Sequence, residues 1–153
     1  MSDWYRRVTG NLGELPGAIA YFESELQDAR KETSLKGNLE MNSRLMPGIV
    51  EHRFNQLQEI EAVLEYLNIS LRKKRSESFR KFTENYNRTL TSRDAEKYVD
   101  GDADVYDWQL LINEFAMVRN KYLGLLKAID AKQFQINNIT KLRVAGMEDT
   151  TLG

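Results

Sequence analysis

Side chains capable of catalysis are few in this sequence. The 153 residues contain no cysteine and a single histidine, His52. Without cysteine, thiol nucleophiles, thiolate metal sites and disulfides are all excluded. No phosphate loop, nucleophile elbow or paired-histidine motif accompanies His52, so we interpret it as an ordinary helix residue. We therefore predict that the protein is not an enzyme, needs no cofactor and takes no small-molecule substrate.

Acidic residues are concentrated between positions 94 and 107, and Asp100-Gly-Asp-Ala-Asp superficially suggests a calcium loop. The glycine is misplaced for the EF-hand pattern, and position 111, where the bidentate glutamate belongs, is Leu111. Acidic side chains are also favourable at the start of a helix. We expect these residues to cap helices, and we predict no metal site.

Basic residues are concentrated between positions 72 and 88, and aromatic residues alternate with them. Cations bind phosphates and release counterions, while aromatic faces stack on unpaired bases, so this composition is typical of a single-strand-binding surface. The alternative interpretation is a solvated helix end whose aromatic rings close the core. The net charge of −1 does not by itself indicate nucleic-acid binding. The candidate DNA-binding residues are Arg72, Lys73, Lys74, Arg75, Phe79, Arg80, Lys81, Phe82 and Tyr86.

Apolar residues recur in steps of three and four along three stretches, which predicts three helices that each bury one stripe. The predicted helices span about residues 15–32, 48–85 and 104–145. A polar lead precedes the first helix, and residues 33–47, which end in Pro47, form a predicted linker with some extended or short helical structure. A short helix at about 92–99, capped by Thr91, is predicted within the connector before the third long helix.

These elements predict an all-α fold, in which two long heptad-patterned helices form a hairpin or bundle beside a shorter N-terminal helix. We divide the chain into an N-terminal helix and linker (1–47), a long-helix core domain (48–146) and a flexible tail (147–153). No stretch approaches the ~20 apolar residues needed to span a bilayer, so we expect no membrane insertion. Helices this long favour self-association, although their stripes could also pack within one chain.

Short sequence motifs in the C-terminal half are similar to those of a known protein family. Leu90-Thr-Ser-Arg-Asp-Ala-Glu-Lys-Tyr-Val-Asp-Gly-Asp leads into a long helix that ends Lys141-Leu-Arg-Val-Ala-Gly, and the basic and aromatic segment precedes both. Over about residues 40–146 this order resembles the phage UvsY-like recombination mediator family. The N-terminal extension through about residue 35 has no counterpart in that pattern.

The resemblance implies a helical protein that forms ring-like homo-oligomers and binds single-stranded DNA in the cytoplasm of a bacterial host cell. Such mediators help a RecA-like recombinase to load onto strands covered by a single-strand-binding protein. The family's DNA contacts map onto the basic residues named above. Its oligomerisation helix maps onto the stripe Trp108, Leu111, Phe115, Val118, Tyr122, Leu125 and Ile129. The alternative function is a non-enzymatic protein-interaction module, such as a phage adaptor, inhibitor or assembly factor, that does not bind DNA.

Overall fold

The computed structural model describes residues 3–84 and 90–147, and within these ranges it contains α-helices, one 3₁₀ turn and no strands. The all-α prediction is therefore confirmed for the described residues. The elements in chain order are α1 (Trp4–Gly10), the 3₁₀ turn (Leu12–Glu14), α2 (Leu15–Lys31), α3 (Leu39–Glu84), α4 (Ser92–Asp100) and α5 (Ala103–Val144).

Helices α3 and α5 form a long antiparallel hairpin. The hydroxyl of Ser78 donates to Asp102 near one end, and the hydroxyl of Tyr122 donates to Gln56 near the middle. At ~1.5 Å per residue each helix is over ~60 Å long. A helix of this length gains most of its stability from packing its apolar face on neighbours rather than from intrinsic propensity.

Helix α2 packs along the middle of the hairpin and completes the core there. The ring of Phe22 is fully buried and makes edge-to-face contacts with Phe115 and Tyr122 of α5. Aromatic pairs at these centroid distances, 6.4 and 6.1 Å, contribute about 0.5–1.5 kcal/mol beyond their buried area. The buried residues of α1 and α2 belong to the same core as those of α3 and α5.

The N-terminal residues differ from the prediction. Residues 4–10 form helix α1 instead of a polar lead, and the side chains of Trp4 and Val8, one turn apart, are buried. The backbone N–H of Trp4 donates to the Glu59 carboxylate at 2.8 Å. Gly17 makes room for the indole, since a Cβ at that position would lie 3.1 Å from the Trp4 ring.

The predicted linker at 33–47 is wrong from Leu39 onward, because α3 already begins there and runs through Pro47. Asn38 caps the helix, its side-chain oxygen accepting from the backbone N–H groups of Glu40 and Met41. Met46 is buried in the core, so burial favours continuing the helix across the proline. The predicted domain boundary between residues 47 and 48 consequently lies inside a continuous helix.

The remaining helix boundaries agree with the prediction to within a residue or two. Helix α2 ends at Lys31 and α5 spans Ala103–Val144, while α3 is helical through Glu84, the last residue described before residue 90. The predicted cap of α4 is also confirmed, since the Thr91 hydroxyl accepts from the backbone N–H of Asp94. The predicted tail at 147–153 lies outside the described residues apart from Met147.

Candidate nucleic-acid interface

Residues 72–84, the described part of the predicted basic segment, occupy the last described turns of α3, at the end of the hairpin where α4 packs and α5 begins. Arg72, Lys73, Arg80 and Lys81 are exposed, while Lys74 and Arg75 are half-buried. Helix geometry decides which of these cations share a face, since successive residues are about 100° apart.

Three of the cations share the outward face of α3. By helical spacing, Arg72, Lys73 and Arg80 lie within about 100° of one another, and we call these three residues the outer strip. Lys74 and Lys81 lie about 80–100° beyond Lys73, on the flank toward the buried Ser78, and Glu77 projects between them and the outer strip. Arg75 lies on the opposite flank. The six predicted basic residues therefore do not form one continuous surface.

Carboxylates accompany the outer strip. Arg72 pairs with Glu65 at 3.1 Å, and Arg80 pairs with Glu84 at 3.2 Å. The two arginine side chains are 71% and 77% exposed, and exposed pairs of this kind contribute only about 0–1 kcal/mol. Lys73 has no carboxylate within 4.0 Å among the described residues. The arginines can thus exchange a carboxylate for a phosphate at little cost.

Arg75 has a different role from the outer strip. Its guanidinium pairs with Asp100 at 2.9 Å, and its side chain is less exposed than those of Arg72 and Arg80. This contact joins the end of α3 to the end of α4. Arg75 therefore helps to position α4, and a phosphate could reach it only in competition with Asp100.

The two aromatic residues of the segment that the structure describes pack on the protein. Phe79 and Phe82 are half-buried against the core, as the alternative interpretation expected. Phe82 stacks on Tyr98 of α4 with ring centroids 5.3 Å apart, and the Lys81 ammonium lies 5.3 Å from the Phe82 ring centroid. Tyr98, which was not predicted, is 43% exposed and is the outer ring of this pair. Tyr86 lies outside the described residues.

One residue of the acidic run caps a helix beside the basic segment, whereas Asp100 pairs with Arg75. Asp102 is the N-cap of α5 and accepts from the backbone N–H of Asp104 at 3.0 Å. The hydroxyl of Ser78 on α3 also donates to this carboxylate, at 2.7 Å. The Ser78 hydrogen bond is the main reason why the pKa of Asp102 lies below its usual range, with the Asp104 N–H and the Lys81 charge acting in the same direction. In the described ranges, no cluster of three or more potential ligands could hold a metal ion.

We expect Ser78→Ala to raise the pKa of Asp102 toward its ordinary value and to destabilise the fold by about 1–2 kcal/mol. The sign follows from linkage. A carboxyl whose pKa is depressed by folding stabilises the fold above its unfolded pKa, and this contribution is lost as the pH falls through the folded pKa. Carbon-detected NMR titration would follow Asp102, with Ser76→Ala on the exposed face as the control. An unchanged Asp102 titration would contradict the assignment.

The apolar stripe of α5 that was assigned to oligomerisation lies in the core of the chain itself. Phe115, Val118, Tyr122, Leu125 and Ile129 are buried against α2 and α3, and Trp108 and Leu111 are half-buried. Such side chains cannot contact another subunit unless the helices separate. Another face of α5 instead exposes a row of large apolar residues in steps of four and seven, namely Tyr106, Leu110 and Met117.

Sequence reasoning missed a charged cluster in the core. Arg53 is 5% exposed and donates to Glu25 at 2.7 Å, to Gln56 at 2.9 Å and to Glu32. Its seven-residue spacing from Met46 and Ile60 was the available signal, because that spacing places it on the buried stripe. Lys132 is as buried and donates to the backbone carbonyl of Glu32 at 2.8 Å.

The surroundings shift the pKa of four groups in and beside this cluster. Burial lowers the pKa of Arg53, but hydrogen bonds to Glu32 and Glu25 outweigh that effect and hold it above the ordinary value. The Gln56 amide and then Arg53 lower the pKa of Glu25, against an opposing effect of burial. Burial lowers the pKa of Lys132, and it raises that of the Tyr122 hydroxyl. Since the cluster is closed by its own hydrogen bonds, we assign it a structural role.

Comparison with known proteins identifies no relative of this chain. No family model, no curated protein and no solved structure matches this chain. In the described ranges, no helix is both long enough and apolar enough to cross a membrane.

Proposed function

We propose that this chain is a non-enzymatic, self-associating helical protein that binds single-stranded DNA and acts as a recombination mediator. The observation that supports DNA binding is the outer strip, where Arg72, Lys73 and Arg80 share an exposed helix face and have only weak, exposed carboxylate partners. The family resemblance adds the partners, which are a RecA-like recombinase and a single-strand-binding protein.

Self-association is part of the proposal, because three cations per subunit give only weak binding. A ring-like homo-oligomer would present several outer strips to one strand, and multivalency raises the overall affinity without any new contact. We assign the contact between subunits to the exposed row Tyr106, Leu110 and Met117, since the inner stripe of α5 is already buried. The Phe82–Tyr98 ring pair beside the basic segment offers a stacking surface for a base.

The test is a triple substitution, Arg72→Gln, Lys73→Gln and Arg80→Gln, assayed by fluorescence anisotropy with a labelled oligonucleotide. We expect single-strand affinity at low salt to fall at least about tenfold, because three phosphate contacts per subunit are lost. Glutamine preserves helix propensity, and the replaced side chains are exposed, so the fold should be unchanged by circular dichroism.

A charge-matched control separates this effect from a general loss of positive charge. Lys36, Lys127 and Lys141 are exposed and lie away from the outer strip, so replacing them with glutamine removes the same charge elsewhere. The control should retain nearly all of the affinity. Equal affinity of the outer-strip variant and the native chain would refute the DNA-binding proposal, as would an equal loss in both triple variants.

The second candidate is a protein-interaction module that does not bind DNA. One supporting observation is that Arg75, a predicted phosphate-binding residue, pairs with Asp100 of the same chain. The other is the row of large apolar residues exposed on α5. Absence of any oligonucleotide binding at low salt, together with an oligomeric mass in light scattering, would favour this candidate over the first.

A further inference from the structure

A groove of about 270 Å³ lies between α2 and α5, away from the basic segment. Its apolar lining is made by Leu26 of α2 and by Gly124, Leu125 and Ala128 of α5. The space beside Gly124 is open, because a Cβ at this position would meet no atom within 4 Å. Gly124 and Ala128 are one turn apart on the same face, so a peptide could approach the backbone of α5 closely.

The edge of the groove is cationic. Arg30 and Lys121 line it, and Arg30 has no carboxylate within 4.0 Å among the described residues. Lys121 pairs with Glu23 at 3.3 Å, but both side chains are about half exposed, so this pair is weak. An apolar lining with cations at its edge is complementary to an apolar side chain flanked by carboxylates.

We propose that this groove binds an acidic peptide segment of a partner protein, with a leucine-sized side chain inserted beside Gly124 and carboxylates paired with Arg30 and Lys121. The groove itself carries this inference, which does not depend on DNA binding. An acidic occupant follows from the charge of the edge, because Arg30 and Lys121 attract carboxylates and repel a basic peptide. A second copy of the chain is the competing occupant, and the experiment distinguishes it.

The probe is a short labelled peptide that alternates leucine with aspartate, compared with a twin in which lysine replaces aspartate. Gly124→Leu fills the groove without touching the core, and Arg30→Glu reverses the charge at its edge. Gly48→Leu is the matched control for the first variant, since Gly48 is also an exposed helical glycine with nothing within 4 Å of its Cβ position. Lys141→Glu, on the exposed surface of α5 more than three turns away from the groove, is the control for the second.

We expect the acidic probe to bind the native chain and both controls, and to bind Gly124→Leu and Arg30→Glu about tenfold more weakly. The lysine twin should not bind detectably. Three results would overturn the proposal: no binding of the acidic probe, equal binding of the twin, or binding unaffected by Gly124→Leu. A fall in oligomeric mass in Gly124→Leu without any loss of probe binding would instead assign the groove to a second copy. Oligonucleotide binding by these variants should stay at the native level, so the outer-strip proposal is tested separately.

Discussion

Replacing Arg53 with methionine is expected to lower the free energy of unfolding by about 3 kcal/mol. The change keeps a long, flexible side chain but leaves the carboxylates of Glu25 and Glu32 without the guanidinium that holds both. Removing one partner of a buried ion pair usually costs about 3–5 kcal/mol, and the lower end applies here because the two carboxylates are about a quarter exposed. Urea denaturation followed by circular dichroism measures the loss.

The pH dependence gives this prediction a second measurement. Because folding lowers the pKa of Glu25, the native chain loses this contribution as the pH falls through the folded value. In Arg53→Met the Glu25 carboxyl protonates more readily, so the difference in stability between native and variant chains should shrink in acid. Arg72→Met is the control, since its exposed pair contributes at most about 1 kcal/mol. A loss of similar size in both variants, or one independent of pH, would contradict the assigned role of Arg53.

Phe22→Ala is expected to destabilise the chain by about 4 kcal/mol. The ring is fully buried between α2 and α5, in contact with Phe115 and Tyr122, and its removal leaves a cavity that helices on three sides cannot easily close. Since α1 and α2 share one core with the hairpin, the whole chain should unfold in a single transition at a lower urea midpoint.

The same substitution at an exposed ring provides the control. Phe134 on α5 is 72% exposed, and Phe134→Ala should change stability by less than about 0.5 kcal/mol. The shape of the transition also tests the division of the chain at residues 47 and 48. If Phe22→Ala produced an early partial transition and left the helicity of α3 and α5 intact, residues 1–47 would be a separate folding unit and our description of the core would be wrong.

The long helices could be predicted because their buried stripes recur in steps of three and four over many turns. The start of α3 could not, since Pro47 and Gly48 are strong local signals for a break, whereas the burial of Met46 depends on contacts far along the chain. Helix α1 was missed for a related reason. Trp4 and Val8 give only two apolar positions, and the Trp4–Glu59 hydrogen bond that holds them spans 55 positions in sequence.

The candidate site was less predictable than the fold. The composition was enough to locate the basic segment. The face on which each cation lies depends on the helix register, and the carboxylate partners of the cations come from other turns of α3 or from α4. Asp100, for example, was expected to cap a helix, and it pairs with Arg75. The stripe at Phe115 to Ile129 shows a further limit, because seven-residue periodicity is the same whether the partner helix belongs to the same chain or to another.

The salt dependence of single-strand binding tests the central claim most directly. The logarithm of the association constant should fall linearly with the logarithm of salt concentration, with a slope of about −0.7 for each phosphate neutralised on single-stranded DNA. For the triple variant at Arg72, Lys73 and Arg80 we predict a slope shallower by about 2 per subunit engaged. An identical slope for native and variant chains would show that the outer strip does not contact the DNA backbone and would contradict the account.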